Sequence, residues 1–394
     1  MTPRGERRPP RAWVLRLGWA AAAGTILAAA ERAAAAGVLS APADGWESFR
    51  GTAQLTGSTQ SPLPDDPGTL WTYAAGAPFE STAAIAGGVV YAGAMDGVLH
   101  AVDLATGAPR WKYAAGQPIK SSPTVIAGTV YFGDEAGVFH AVDARQGTRR
   151  WTFQAEAAIV SSATAAAGLI VFGSNDNNLY ALSRRDGAPA WKLATAGYVY
   201  GTPALMDGPG EPRIVSAGCD GFLRVVRARD GAELRRVELG GYVGASPAVA
   251  AGRAYVGTFE NQFLAVDLSG QGRVLWRYEH PERKFPFHAS AAVNGEVAIV
   301  AGRDKLVRAL RLQTGEVLWE HAARSKVDAS PVLAGSRVVA ASAAGDLVLL
   351  DAATGRTVWR FEAGTGFAAS PAVAAGTIVI GDVSGTLYAF GGRR

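Results

Sequence analysis

A glycine followed four residues later by a tryptophan recurs through this chain, as Gly107/Trp111, Gly147/Trp151, Gly187/Trp191, Gly272/Trp276, Gly315/Trp319 and Gly355/Trp359. Most copies lie close to forty residues apart, and self-similarity at that period restricts a chain to a repeat architecture. Gly231 keeps the place in a further copy, where Arg235 replaces the tryptophan. A second marker, Ser or Thr followed by Pro or Ala, lies shortly beyond each of these positions, at Ser122, Ser162, Thr202, Ser246, Ser290, Ser330 and Ser370. Thr82, placed the same way after Trp71, makes eight copies.

Each period reads as four short strands. Between residues 119 and 155, Ser-Pro-Thr-Val-Ile, Thr129-Val-Tyr-Phe, Val138-Phe-His-Ala-Val-Asp and Arg150-Trp-Thr-Phe are separated by Gly- and Asp-containing turns. Such β-branched and aromatic runs between turn residues are a strand pattern. No stretch after residue 45 keeps a helical period. Eight four-stranded units predict an all-β fold, an eight-bladed β-propeller of antiparallel blades, over residues 70–394. The last copy has no tryptophan strand of its own, whereas Leu70-Trp-Thr-Tyr precedes any complete copy. Residues 70–73 are therefore expected to supply the outer strand of the eighth blade and close the ring.

With 48% hydrophobic and 18% charged residues, the composition suits a folded core. The net charge of +4 is concentrated at the start: residues 1–45 hold six Arg against Glu6, Glu31 and Asp44, which leaves the rest nearly neutral. That distribution gives no electrostatic case for nucleic acid. The basic head, the apolar run Trp19–Ala30 and the small residues after it read as a signal peptide over 1–43, with cleavage near 36 or 43. An uncleaved membrane anchor is the alternative. Arg7-Arg8 hints at twin-arginine export, but the Pro-Pro that follows departs from that pattern. The expected destination is the periplasm or beyond, with no transmembrane domain in the mature chain. Cys219 is the single cysteine, so no intramolecular disulfide can form and no lipoprotein cysteine follows the leader. Residues 44–69, rich in Pro, Gly and Ser, read as a strap or linker whose Trp46 and Phe49 pin it to the ring.

The text Ala101-Val-Asp-Leu-Ala-Thr-Gly-Ala-Pro-Arg-Trp111, repeated in most copies, resembles the tryptophan-docking motif of the pyrroloquinoline quinone (PQQ) repeat superfamily from about residue 70 to the end. That superfamily contains quinoprotein alcohol dehydrogenases and non-catalytic members of the BamB type, scaffolds of outer-membrane barrel assembly. The resemblance implies that Trp71, Trp111, Trp151, Trp191, Trp276, Trp319 and Trp359 pack on glycines of neighbouring copies and tie blade to blade. Arg235 departs from the motif, so the junction of the fourth blade is expected to be the weakest. Catalytic members use a vicinal disulfide, which one cysteine cannot make, and calcium held by acidic and amide groups. The implied protein is a monomeric, non-catalytic cell-envelope scaffold with a protein partner and without cofactor. The alternatives are a small-ligand or quinone sensor and a PQQ- and calcium-dependent oxidoreductase.

A unique site has to come from positions where the copies differ. The residue two before each Ser/Thr marker leads into the innermost strand and reads Glu80, Lys120, Val160, Tyr200, Gly244, His288, Asp328 and Ala368 round the ring. Glu80, Lys120, Tyr200, His288 and Asp328 are the candidates for a central funnel. His288 beside Asp328 is the arrangement that orients a general base, and a Lys120–Glu80 pair could grip an anion; mutual satisfaction of polar groups around a channel is the plainer reading. The longest departure from the repeat, Glu279–Phe287, adds loop candidates Arg283, Lys284, Phe285 and Phe287. The five histidines show no metal-ligand spacing, and His100 and His140 share one strand position, which points to shared packing.

Overall fold

The computed structural model describes Met1 and residues 41–392, except positions 207 and 209; the signal-peptide expectation falls outside the described residues. Eight four-stranded antiparallel sheets follow one another along the chain. Blade 1 runs outward from Ala84–Ala86 through Val89–Gly93 and Val98–Asp103 to Pro109–Ala114. Blades 2 to 7 repeat it, with inner strands Thr124–Ile126, Thr164–Ala166, Ala204–Met206, Ala248–Ala250, Ala292–Val293 and Val332–Ala334. Blade 8 takes Ala372–Ala374, Thr377–Gly381 and Thr386–Gly391 from the end of the chain and its outer strand, Gly68–Ala74, from the beginning. No described residue is helical, so no described helix is long and apolar enough to cross a membrane.

The two sequence markers hold the ring together by different means. Six docking indoles cover a glycine of the next blade and give their N–H to the carbonyl of the residue after Asp103, Asp143, Ser183, Arg227, Arg311 or Asp351. Trp71 donates to Leu104 at 2.8 Å, Trp111 to Ala144 at 3.1 Å, Trp191 to Ala228 at 2.9 Å and Trp319 to Ala352 at 2.9 Å. Trp151 and Trp276 do the same at 3.3 Å. The glycine is required twice over: Gly107 has φ +73°, and a Cβ there would lie 2.8 Å from the Trp71 ring. Arg235 keeps the bond by another route. Its guanidinium donates to the Leu268 carbonyl and, at 2.6 Å, to that of Gly270, while its stem lies over Gly272. The fourth junction therefore loses aromatic coverage and retains the hydrogen bond. Trp359 departs from its expected docking. Its indole lies edge-on to Phe390 at 5.5 Å, and no described glycine lies against it.

The Ser/Thr marker forms an inner girdle. The backbone N–H of Thr82 donates to Ser122 Oγ, Ser122 to Ser162, Ser162 to Thr202, Thr202 to Ser246, Ser246 to Ser290, Ser290 to Ser330 and Ser330 to Ser370, over 2.8–3.2 Å. At these seven crossings a buried backbone donor is thereby satisfied by a hydroxyl from the next copy.

Residues 41–61 make a full turn across one end of the channel. Their carbonyls accept from inner-strand N–H groups: Trp46 from Ile85, Glu47 from Val125, Ala53 from Leu205, Gln54 from Val249, Thr56 from Val293 and Gly57 from Leu333, all at 2.7–3.0 Å. Ser58–Thr59 then pairs parallel with Val332–Ala334, and Ala43 accepts from Ala375. Trp46 and Leu55 are fully buried beneath this strap, whereas Phe49 is half-buried. Arg50, 1% exposed, reaches to the carbonyls of Ala291, Ser330 and Pro331 at 3.1, 3.3 and 2.5 Å. Its burial lowers the guanidinium to about 9.

Candidate functional site

At the end of the channel away from the strap, the segments leading into the inner strands converge with the turns between the second and third strands. The N–H of Glu135 donates to the Pro118 carbonyl, that of Cys219 to Tyr198 and that of Phe259 to Tyr242, at 2.9–3.0 Å. These turns bring a second set of side chains against the funnel candidates.

Lys120 Nζ lies 2.6 Å from Glu135 and 3.9 Å from Glu80. The hydrogen bond to Glu135, opposed by burial and helped by the charge of Glu80, raises the ammonium above its usual range. With two carboxylates on one ammonium, this group does not grip an anion; the pairing read from sequence is replaced by a three-member cluster of net negative charge. On blades 6 and 7, Asp328 accepts from Arg303 at 2.8 and 3.2 Å, and Lys326 lies 3.1 Å away. Burial pushes this carboxyl up, but the two cations hold it below the carboxylate range.

The His288–Asp328 arrangement expected for a general base is not made. Asp328 is committed to Arg303 and Lys326, and the His288 ring lies against Phe259 with centroids 4.5 Å apart. Burial, and then the charge of Arg303, lower His288, with Asp328 opposing. Tyr200 meets Tyr198 edge-on at 5.5 Å. Burial raises its hydroxyl, and Lys120, two blades away, lowers it. Burial likewise raises the half-buried Cys219 thiol, with Asp220 adding to the shift.

The loop candidates separate. Phe287 is 3% exposed and packs beside Phe263, Tyr278 and Arg308 in the core. Arg283 donates to the Asp304 carbonyl at 2.9 Å, and Lys284 pairs with Glu279. Arg283, Lys284 and Phe285 are all exposed, and Phe285, at 49%, is the apolar one among them. The two shared-position histidines have packing roles: His100 and His140 each bond a tyrosine through Nδ1, Tyr73 at 3.0 Å and Tyr113 at 3.1 Å.

Sequence comparison of one column missed Glu135, Arg303 and Phe259, and it passed over Tyr198 and Tyr242. These last two, at matching places of blades 4 and 5, are 47% and 58% exposed. The mouth thus has an aromatic arc on blades 4 and 5, with Phe285 beyond it, between an acidic cluster on blades 1 and 2 and a basic one on blades 6 and 7. Calcium takes six to eight oxygen ligands. The funnel carboxylates are each bound or held close by a cation, and no described group of three or more His, Cys, Asp or Glu converges. This donor set does not fit a calcium-held quinone.

Eight four-stranded blades, docked by tryptophan on glycine and closed by the first strand, define a PQQ-repeat propeller. A family model described as outer membrane protein assembly factor BamB matches residues 63–216 and again 201–391, and the chain belongs to that family. No curated protein sequence matches it. Among solved structures, it is similar to BamB from Moraxella catarrhalis, with TM-score 0.70 and 18% identity over 83% of this chain and 98% of that one. The quinohemoprotein alcohol dehydrogenase of Comamonas testosteroni gives TM-score 0.75 and 13% identity over 89% and 81%. A computationally designed protein, Ika8, gives 0.70 and 18% over 82% and 98%. At these identities the likenesses establish the fold, which BamB, an alcohol dehydrogenase and a designed chain all share.

Proposed function

We propose that the protein is a non-catalytic scaffold of the cell envelope that holds a protein partner on its funnel face, in the manner of an outer-membrane assembly factor. One observation carries this reading. The ionised groups of the funnel are paired with one another, whereas Tyr198 and Tyr242 stand exposed at its mouth without an ionic partner to satisfy. Tyr, Phe and Arg are the residues enriched where protein interfaces bury their energetic centres, and Tyr198, Tyr242, Phe285 and Arg303 occur together here. A nucleophile with an oriented base is not what these contacts build.

The test is photo-crosslinking in the cell from residue 198, residue 242 and, as a control, residue 234 on the outer strand of blade 4. The reading expects one envelope protein captured from 198 and 242 and not from 234. Capture of nothing, or the same capture from all three, counts against it. So does saturable, calcium-dependent binding of PQQ by the purified chain.

A further inference from the structure

The outer strand of every blade ends its sheet and leaves backbone groups unpaired among the described residues. Exposed edges of this kind accept other chains, and proteins commonly protect them with charged side chains or proline. Seven of the eight outer strands are protected in that way, each with at least one Lys, Arg or Glu, as in Pro109–Ala114, Val317–Ala322 and Thr357–Glu362. Gly68–Ala74, the strand that closes the ring, reads Gly-Thr-Leu-Trp-Thr-Tyr-Ala and holds neither a charge nor a proline. Leu70, Thr72 and Ala74 are exposed along it. The Ala75 N–H donates to the Gly385 carbonyl at 2.9 Å and Tyr73 stands opposite Leu387, so the period of two turns the backbone of Thr72 and Ala74 outward.

The two flanks of this edge differ. Lys112 stands opposite His100 on adjacent strands of blade 1 and so shares its face, and His100 meets blade 8 through the Tyr73 hydroxyl. Lys112 therefore faces blade 8; it is exposed and has no ion pair among the described residues. On the other side, Trp359 and Phe361 of blade 7 lie half-buried against Phe390 and Tyr388 of blade 8. The Trp359 indole, unlike the six that dock on glycine, gives its N–H to no described acceptor. At the strap end of the edge, Leu70 and Arg110 line a groove of about 610 Å³ between blades 8 and 1.

Outward N–H and C=O groups alternating along an edge match the backbone of another extended chain. A second copy of the ring is a poor occupant. Neighbouring blades curve away on both sides, so two rings would meet along one short strand, far below the roughly 1,200 Å² at which stable interfaces begin. A single extended segment escapes that limit, and its side chains alternate between the basic flank and the aromatic one. We propose that the blade 8 edge binds an extended segment of a protein partner by strand addition, with acidic side chains toward Lys112 and apolar ones toward Trp359 and Phe361. The backbone groups of Thr72 and Ala74 carry the pairing, and the flanks select the sequence. The site is on the outer wall of the ring and is independent of the funnel mouth.

The test uses the full-length chain, isotope-labelled at the amides, titrated with acetyl-Val-Glu-Val-Glu-Val-amide at millimolar concentration. The Thr72 and Ala74 amides exchange rapidly without peptide; with it they shift saturably and become protected. Methylating the nitrogen of the central valine removes a donor that faces the edge and weakens binding about fivefold, the worth of one ordinary hydrogen bond. Methylating a glutamate nitrogen, which faces away, leaves the affinity nearly unchanged. Acetyl-Val-Lys-Val-Lys-Val-amide binds more weakly than the glutamate peptide, and Lys112→Ser removes that preference. No saturable shift at Thr72 and Ala74, equal affinity of the two methylated peptides, amides already protected in the peptide-free chain, or a glutamate preference that persists in Lys112→Ser would each overturn the proposal. Shifts confined to Tyr198 and Tyr242 would place the peptide in the funnel mouth and overturn it as well.

Discussion

Lowering the pH from 7 to 4 destabilises blade 1 through one histidine. His100 is 1% exposed, with its ring against Tyr73 and Phe79, and Nδ1 bonded to the Tyr73 hydroxyl. Nε2 is buried without a partner. In blade 2 the same nitrogen of His140 has Asp134 Oδ2 at 3.1 Å, but Ala94 holds the corresponding place in blade 1. Burial, and then the charge of Lys112, lower His100 from the ordinary 6.5 to about 4. A base whose folded value lies below its unfolded one is neutral in the fold while the unfolded chain already takes the proton. Its contribution is therefore complete above about pH 6.5 and is lost as the pH falls toward 4. Linkage gives a loss of about 2 kcal/mol at pH 5 and about 3 kcal/mol at pH 4.

The assay is urea denaturation across that range, comparing the native chain with His100→Gln, which keeps a polar group and cannot titrate. The native chain should lose the stated amounts beyond whatever the variant loses, so that carboxylates common to both cancel. Ala94→Asp, which copies the blade 2 arrangement, should remove most of the difference by giving the imidazolium a partner. Parallel profiles for native and His100→Gln chains would refute the assignment. A steeper acid loss in Ala94→Asp would refute the account of why blade 1 differs from blade 2.

Three further outcomes follow from the same contacts. Trp191→Ala should cost about 3–5 kcal/mol in chemical denaturation, as large aromatic truncations do, whereas Arg235→Ala should cost about 1–3 kcal/mol, the range for a lost charged hydrogen bond at a part-exposed site. Arg50→Ala should destabilise by about 3 kcal/mol or more, and Arg50→Met by clearly less, because a buried charge is replaced by apolar volume; equal costs would show that the cavity does not matter. In the funnel, Asp328→Asn should shift the His288 titration down and Arg303→Gln should shift it up, since the carboxylate raises and the guanidinium lowers the imidazole; nuclear magnetic resonance of the ring protons reads both.

What could be read from sequence depended on whether a position had seven others to be compared with. The Ser/Thr marker was visible because every copy keeps it, and its reason, an N–H of one blade on a hydroxyl of the next, is a contact between equivalents. The funnel was half legible. The column of Lys120, His288 and Asp328 varies and so stood out, but the column that answers it, with Glu135, Phe259 and Arg303 in the turn after the second strand, varies just as much. Reading both together would have paired Asp328 with Arg303 instead of His288. Residues 41–61 have no counterpart in any copy, and nothing in the text of Arg50 distinguishes a surface arginine from one buried in the channel. Its burial is fixed by the path of the strap, which is set by six carbonyls meeting six inner strands. The same path skips blade 3. Where an irregular strap crosses a regular ring is something the repeat cannot name, whereas the funnel mouth arises from variation within the repeat and could be read in part from the columns that differ.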